Sequence, residues 1–330
     1  MTQRGPVSVG TGMQAEPRLG GLVGAGALSA LLFGSAGLVP ALAPLSFVSP
    51  LPLMVQRLRG GMAGAWLAAS LAAALVAASS ALPAAGFYLL VLAVPGLLLG
   101  ESLARGRGLL RGCSWAFGAL VAEIAAGLAF VPQAMAERFL APIDNLRSEA
   151  FLAQLSAGGL PPEQIAEFTG QVGALRDALA VVFPAAWVIG AAVLVAANAG
   201  VLRLYLLRRD PGWLEDGEFE RVRWPLALAV VFVLSGAAVA LPLARPVAYN
   251  VLLVTAFFFA LQGLAVVAFY ARRLAGPPLL RAAVVVLVLA NPWAPQILAL
   301  LGLFDNWFDF RRWAEPPPGA GEGTRPGRQA

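Results

Sequence analysis

The sequence predicts an all-α protein built in lipid: a polytopic transmembrane helical bundle of about eight spans plus one short broken membrane segment. Three observations predict it. Only 12% of the residues are charged and 59% are hydrophobic, with a mean hydropathy of +0.77, whereas a soluble domain carries about 25% charged residues. The charge-free stretches are long enough to cross a hydrocarbon core about 30 Å thick, which takes roughly 20 helical residues. The arginines, finally, are sorted between alternate loops as in a membrane-inserted chain.

The elements follow in order. Residues 1–18 are polar and glycine-rich and read as a disordered tail. No cleavable signal is expected there, because the apolar stretch behind them is too long for a signal core. Leu19–Gln56 holds no charge but contains Pro40, Pro44, Pro50 and Pro52. It is too long for one span and short for two, so a full helix is expected at about 19–39 and a broken one at about 42–57. Gly60–Gly100 is charge-free with a turn at LPAAG, which makes two spans. Single spans follow at about 110–132, 178–202, 224–244, 247–271 and 282–304. Residues 314–330, rich in proline and glycine, form a second disordered tail. The domains are thus an N-terminal membrane block at 19–131, a linker at 132–172 and a C-terminal membrane block at 173–313.

The linker is acidic, with Glu137, Asp144, Glu149, Glu163 and Glu167 against Arg138 and Arg147. Ile143, Leu146, Ala150 and Ala153 recur at helical spacing, which predicts an amphipathic helix on the membrane face. Pro161-Pro162-Glu163 predicts the first turn of the next helix, where proline is tolerated and an acid is favoured.

Orientation comes from arginine placement. One set of loops holds Arg57 and Arg59; Arg105, Arg107 and Arg111; Arg203, Arg208, Arg209, Arg221 and Arg223; Arg272, Arg273 and Arg281. The opposite set holds only Arg138, Arg147, Arg176 and Arg245, thirteen against four. The first set is expected in the cytoplasm and the acidic linker outside. If the last run crosses fully, Arg311 and Arg312 finish outside, against the rule. Asn291-Pro292 interrupts that run, so it can instead bend and return, and the side of the C-terminus stays open.

Composition also excludes. The net charge of +5 comes from arginine alone, without lysine or histidine. It fits cytoplasmic loops and needs no nucleic acid. A lone Cys113 allows no internal disulfide and no thiolate metal cage. There is no HExxH, no phosphate-binding glycine loop and no histidine for a Ser-His or Cys-His pair. No metal, no cofactor and no enzymatic activity are expected.

Several residues stand out within the spans. Gly20/Gly24, Ala25/Ser29, Gly26/Ala30, Ala30/Gly34 and Gly60/Gly64/Ala68 are small-xxx-small patterns, which let membrane helices approach closely. They serve packing inside the bundle or the docking of a partner subunit. Glu123 sits at mid-depth in SWAFGALVAEIAAGLAFV, where a carboxylate costs about 2.5–3.5 kcal/mol and is a functional candidate. The alternative is a structural glutamate facing the interior. Its ion partner would have to come from a helix end, such as Arg57, Arg59 or Arg245. Asn198, Asn250, Gln262 and Asn291 are the other large polar groups, each suited to a bond across helices. Gln262-Gly263 is the most suggestive, since the glycine lets a backbone or ligand approach the amide.

The closing stretch LGLFDNWFDFRRW mixes interfacial aromatics with Asp305, Asp309, Arg311 and Arg312. If the helix continues, Asp309 and Arg312 can pair at a spacing of three. Asp305 and Arg311 are then left to lock against a charged loop elsewhere.

SPLPLMVQRLRGGMAGAW, VPGLLLGESLARG, FALQGLAVVAFYARR and GLFDNWFDFRR, in this order over residues 20–313, resemble the YybS-like family of bacterial polytopic membrane proteins, a domain of unknown function. The resemblance implies that Gln262, Gly263, Gly302, Asp305, Asp309 and Arg311 are motif positions. It brings no assigned reaction or substrate. Residues 19–131 are also similar to the substrate-binding subunits of energy-coupling-factor vitamin transporters and to small rod-shape membrane proteins of related architecture. Here the chain departs by three extra spans and by the lack of a vitamin-binding motif, so the likeness is one of fold.

Two functions follow from these readings. One is a subunit of the bacterial cytoplasmic (inner) membrane that binds or passes a small molecule, with Glu123, Gln262, Asn198 and Arg245 as ligand or proton candidates. Active transport would then need separate ATPase and coupling subunits, or an ion gradient used through Glu123. The alternative is a scaffold that recruits partner proteins through its arginine loops and the C-terminal DNWFDFRR.

Overall fold

The computed structural model describes residues 19–214, 217–274 and 277–314. The tails expected at 1–18 and, apart from Ala314, at 314–330 lie outside the described residues. The described residues are mostly helical, with no strand among them. The chain divides into two compact units, Met1–Met135 with Trp187–Asp216, and Ala136–Ala186 with Gly217–Ala330.

In the first unit, α1 (Leu19–Leu38) leads through a 3-10 turn at Pro40–Leu42 into the short α2 (Ala43–Phe47). The chain leaves the helix at 48–50 and re-enters it as α3 (Leu51–Ser79). The broken segment expected at 42–57 is therefore not set off by a loop from the span that follows. Helix continues through Arg57 and Arg59 and kinks at Gly61, whose φ of 75° is open to glycine at little cost. Next come α4 (Leu82–Phe87), a π-helical stretch Tyr88–Ala93 and α5 (Val94–Ala104), which run on as one apolar helix. α6 (Leu109–Phe130) completes this part.

Small residues bring these helices together. A Cβ on Gly26 would lie 2.8 Å from the Ala68 carbonyl of α3, and one on Gly96 would lie 2.5 Å from Pro50. Gly20, Gly24 and Gly34 meet nothing within 4 Å, so that half of the small-residue pattern packs no helix here. The core is formed by Leu53, Ala65, Ala69, Val76, Tyr88 and Leu92, and by Met54, Leu99, Leu120, Val195 and Leu202.

α7 (Pro132–Asn145), α8 (Glu149–Ala157) and α9 (Pro162–Arg209) follow. The single amphipathic helix expected across Ile143–Ala153 is two helices. Ser148 interrupts it as the N-cap of α8, its side chain accepting from the Phe151 amide at 3.3 Å. α9 starts at Pro162 with Glu163 in its first turn, as the proline pair predicts. It begins among the residues of the second unit and ends among those of the first.

The rest of the second unit is a 3-10 turn Phe219–Arg221, α10 (Leu226–Ala238), α11 (Arg245–Arg273), α12 (Pro278–Leu289), α13 (Ala294–Phe308) and a 3-10 turn Phe310–Ala314. Among the described residues, six helices are long and apolar enough to cross a membrane. The spans expected at 224–244 and 282–304 are not among them. The first is the 13-residue α10 followed by turns. The second is broken at Asn291-Pro292, where the Asn291 side chain accepts from the Trp293 amide at 2.8 Å and stops the helix. α12 and α13 thus form the bent, returning arrangement: the Tyr270 hydroxyl at the end of α11 donates to the Phe310 carbonyl just beyond α13 at 2.5 Å. Arg311 and Arg312 consequently finish at the same end of this unit as Arg272 and Arg273.

Candidate functional site

Two glycines set the frame. A Cβ on Gly263 would lie 2.0 Å from the Leu298 carbonyl, and one on Gly302 would lie 1.9 Å from the Phe259 carbonyl. No side chain fits either gap, so the backbones of α11 and α13 touch directly. This is how glycine serves membrane helices, by exchanging side-chain volume for close backbone packing. The approach carries Gln262, one residue along, against the end of α13.

Gln262 is fully buried and uses both ends of its amide. Its nitrogen donates to Asp305 Oδ2 at 3.1 Å and to Asn306 at 3.4 Å, and its oxygen accepts from the Trp224 amide at 2.9 Å. The Trp224 indole donates in turn to the Phe258 carbonyl at 2.7 Å. Asp305 is also fully buried. It accepts from the Phe310 amide at 3.2 Å and lies 3.3 Å from Arg311 and 3.6 Å from Arg223. A buried carboxylate is tolerated only when paired and hydrogen-bonded in this way.

Helix spacing predicts an Asp309–Arg312 pair, but the arrangement is different. α13 ends at Phe308, and Asp309 takes a left-handed backbone with φ 45° as its cap. That turn aims Asp309 at Arg223, with which it forms an ion pair. Arg311, 7% exposed, reaches the 219–223 loop and donates to the carbonyls of Glu220 at 2.6 Å and Val222 at 2.8 Å. Burial lowers the Arg311 pKa while Asp305 opposes the shift, and a guanidinium stays charged regardless. Arg272, in the last turn of α11, pairs with Glu220 at 3.2 Å.

All six motif positions, Gln262, Gly263, Gly302, Asp305, Asp309 and Arg311, therefore meet at one end of the second unit. Outside this lattice lies a cleft of about 550 Å³ with Glu220, Arg223, Phe269, Arg272, Asp309 and Arg311 among its walls. The sequence did not point to Arg223, Trp224 or Glu220, because their partners lie far along the chain. Their only signal was membership of an arginine-bearing loop.

The remaining candidates lie elsewhere. Asn198 is 4% exposed and donates to the Phe47 carbonyl at 2.9 Å, tying α9 to the broken segment. Glu123 is half-buried on α6 and has no hydrogen bond or ion pair among the described residues. Arg245 is not near it in any pairing. Its guanidinium donates to the Val239 carbonyl at 3.1 Å, closing the turn before α11. Asn250 accepts from the Ala185 amide at 2.8 Å and donates to the Val181 carbonyl at 2.7 Å. An unbroken helix would pair those two groups with each other. Between them sits Pro184, so Asn250 serves the backbone groups around a proline inside α9.

A second buried charge cluster was missed at sequence level. Glu101, 6% exposed, pairs with Arg57 of α3 and, at 2.5 Å, with Arg105. It joins α3 to α5, where Gly100 brings the backbones close. Among the described residues no group of His, Cys, Asp and Glu could hold a metal ion.

No curated protein and no solved structure matches the chain. One family does, over residues 27–306, and its description is that of a predicted membrane protein. The motif positions Gln262, Gly263, Gly302 and Asp305 lie within that range, and Asp309 and Arg311 lie just beyond it. With this match spanning most of the chain, the protein belongs to the DUF2232 family of membrane proteins of unknown function, the YybS-like family that its sequence motifs resemble.

Proposed function

We propose that this membrane-integral chain binds a small ligand, and that its site is the cleft beside the Gln262–Asp305 lattice. The observation that carries the reading is the expense of that lattice. Two fully buried polar side chains, Gln262 and Asp305, and the nearly buried Arg311 form the lattice behind one concave surface, and Arg311 is itself part of its wall. Sites that bind small molecules are concave and largely preformed, and their volume commonly lies between about 300 and 1,000 Å³. In this reading the chain sits in the bacterial cytoplasmic membrane with the cleft on the cytoplasmic face, which the arginine distribution favours. It performs no chemistry of its own. If the ligand is moved across the membrane, separate ATPase and coupling subunits drive it, or an ion gradient acting through Glu123. The scaffold alternative is weaker, because Asp305 and Arg311, its intended contacts, are used internally.

Native mass spectrometry of the full chain in mild detergent tests the proposal. The expected result is a bound small molecule on the wild type that is reduced on Arg272→Ala. A bare wild-type protein that no added metabolite mixture stabilises against heat would refute it.

A further inference from the structure

The charges around the cleft assign a chemistry to the ligand, an inference that rests on the cleft being the binding site. Six guanidinium groups line it against two carboxylates, Glu220 and Asp309. Both carboxylates are already engaged, Glu220 by Arg272 and Asp309 by Arg223. Arg273 and Arg312 are exposed and have no carboxylate partner among the described residues. Arg273 lies with its guanidinium 3.7 Å over the Phe269 ring, which presents its donors along the wall. Arg311 Nε is buried and has no hydrogen-bond acceptor among the described residues.

Helix ends do not absorb this surplus. The C-termini of α11 and α13 each carry about half a negative charge, against a wall richer in cations by several unit charges. A concave surface of one sign focuses its field and raises the local concentration of the opposite charge. A guanidinium is a planar fork that matches phosphate oxygens two at a time. Several forks facing one space suit a group with many acceptor oxygens better than a single carboxylate. The cleft is also far larger than a bare inorganic anion, and Phe269 gives it an apolar wall.

We propose that the cleft binds a phosphate monoester or diphosphate group carried on an organic body. That group belongs either to a membrane lipid entering from the side or to a soluble phosphorylated compound.

The test uses the full-length protein in a neutral detergent, titrated with inorganic pyrophosphate and followed by calorimetry. It is then repeated after reconstitution into phosphatidylcholine vesicles with and without phosphatidic acid, with retained lipid measured by mass spectrometry. The variant Arg273→Gln with Arg312→Gln removes two exposed charges that make no ion pair, so the fold is retained. Arg245→Gln, at the other end of α11, is the control. A soluble ligand predicts pyrophosphate binding at a Kd of about 1 mM or tighter, weakened about tenfold in the double variant, as loss of charge-assisted contacts implies, and unchanged in the control. A lipid ligand predicts enrichment of phosphatidic acid that the double variant loses. If neither probe binds in a manner dependent on these arginines, the proposal is overturned. Should native mass spectrometry then still show a bound molecule lacking phosphorus, the binding site stands and only the ligand class falls. Should it show none, both fall.

Discussion

The pairing of Asp305 with Arg311 makes a quantitative prediction. Arg311→Met keeps the length of the side chain and removes its charge. It takes away the ion pair at 3.3 Å and the two donations to Glu220 and Val222. Asp305 is then left at zero exposure with Gln262, the Phe310 amide and the more distant Arg223 at 3.6 Å. Breaking a buried pair by removing one partner costs about 3–5 kcal/mol. Each charged hydrogen bond to a carbonyl contributes about 1.5–3 kcal/mol, much of it already inside that figure. Asp305→Asn, which strands Arg311 in the same way, carries a cost of the same order. The double variant removes both charges and leaves no stranded ion, so its loss should fall well short of the sum, with a coupling of about 1–3 kcal/mol. Unfolding of the four proteins in mixed micelles, followed by tryptophan fluorescence, supplies the cycle. Additive losses within about 0.5 kcal/mol would mean that the two groups do not depend on one another, and the lattice as described would be wrong.

Four further outcomes are expected. Gly302→Ala forces a Cβ against the Phe259 carbonyl and should cost about 1–3 kcal/mol in the same assay, whereas Gly24→Ala, which meets nothing, should be neutral or slightly stabilising. Asn250→Leu strands the Ala185 amide and the Val181 carbonyl and should cost about 1–2 kcal/mol, read as a lowered Tm. Glu123→Gln should leave insertion and thermal stability intact, since the carboxylate has no described partner to lose, while abolishing any gradient-driven uptake; a matching loss of folding would make it a structural group. In whole cells, Ser156→Cys with Cys113 removed should react with an impermeant thiol reagent, because Ser156 is exposed on α8 in the linker read as external; absence of labelling would invert the orientation.

Much of the architecture was legible because lipid imposes a length. Charge-free runs located the long helices, and the prolines at 40–52 marked the broken segment. What escaped were features decided by distant partners or by a single cap. Helical spacing paired Asp309 with Arg312, yet Asp309 leaves the helix and finds Arg223, 86 residues back. Ile143 and Ala153 kept helical period, but Ser148 satisfied an amide between them and divided the helix. Hydropathy ran 282–304 together as one span, although Asn291-Pro292 carried the break. The glycines showed the opposite behaviour. Gly263 was legible as a place where a backbone could come close, Gly302 only as a motif position, and that each receives a carbonyl of the other's helix is something no periodicity encodes. Glu101 was hidden by its own arginines, since a charge beside Arg105 reads as the rim of a loop.

The contact at Gly263 and Gly302 also restricts how the second unit can move. A slide of α13 by one turn, about 5.4 Å, would bring Leu298 or Asn306 to a gap that admits no Cβ at all. Translation along the axis is therefore blocked, and what remains is a swing about the crossing point. Asp305, less than a turn beyond this pivot, would hardly shift, whereas Asp309 and Arg312 farther along the lever would travel most. That swing would have to part Asp309 from Arg223 and Arg311 from the Glu220 and Val222 carbonyls, so the bonds at the arginine-lined mouth oppose the one motion the crossing leaves free.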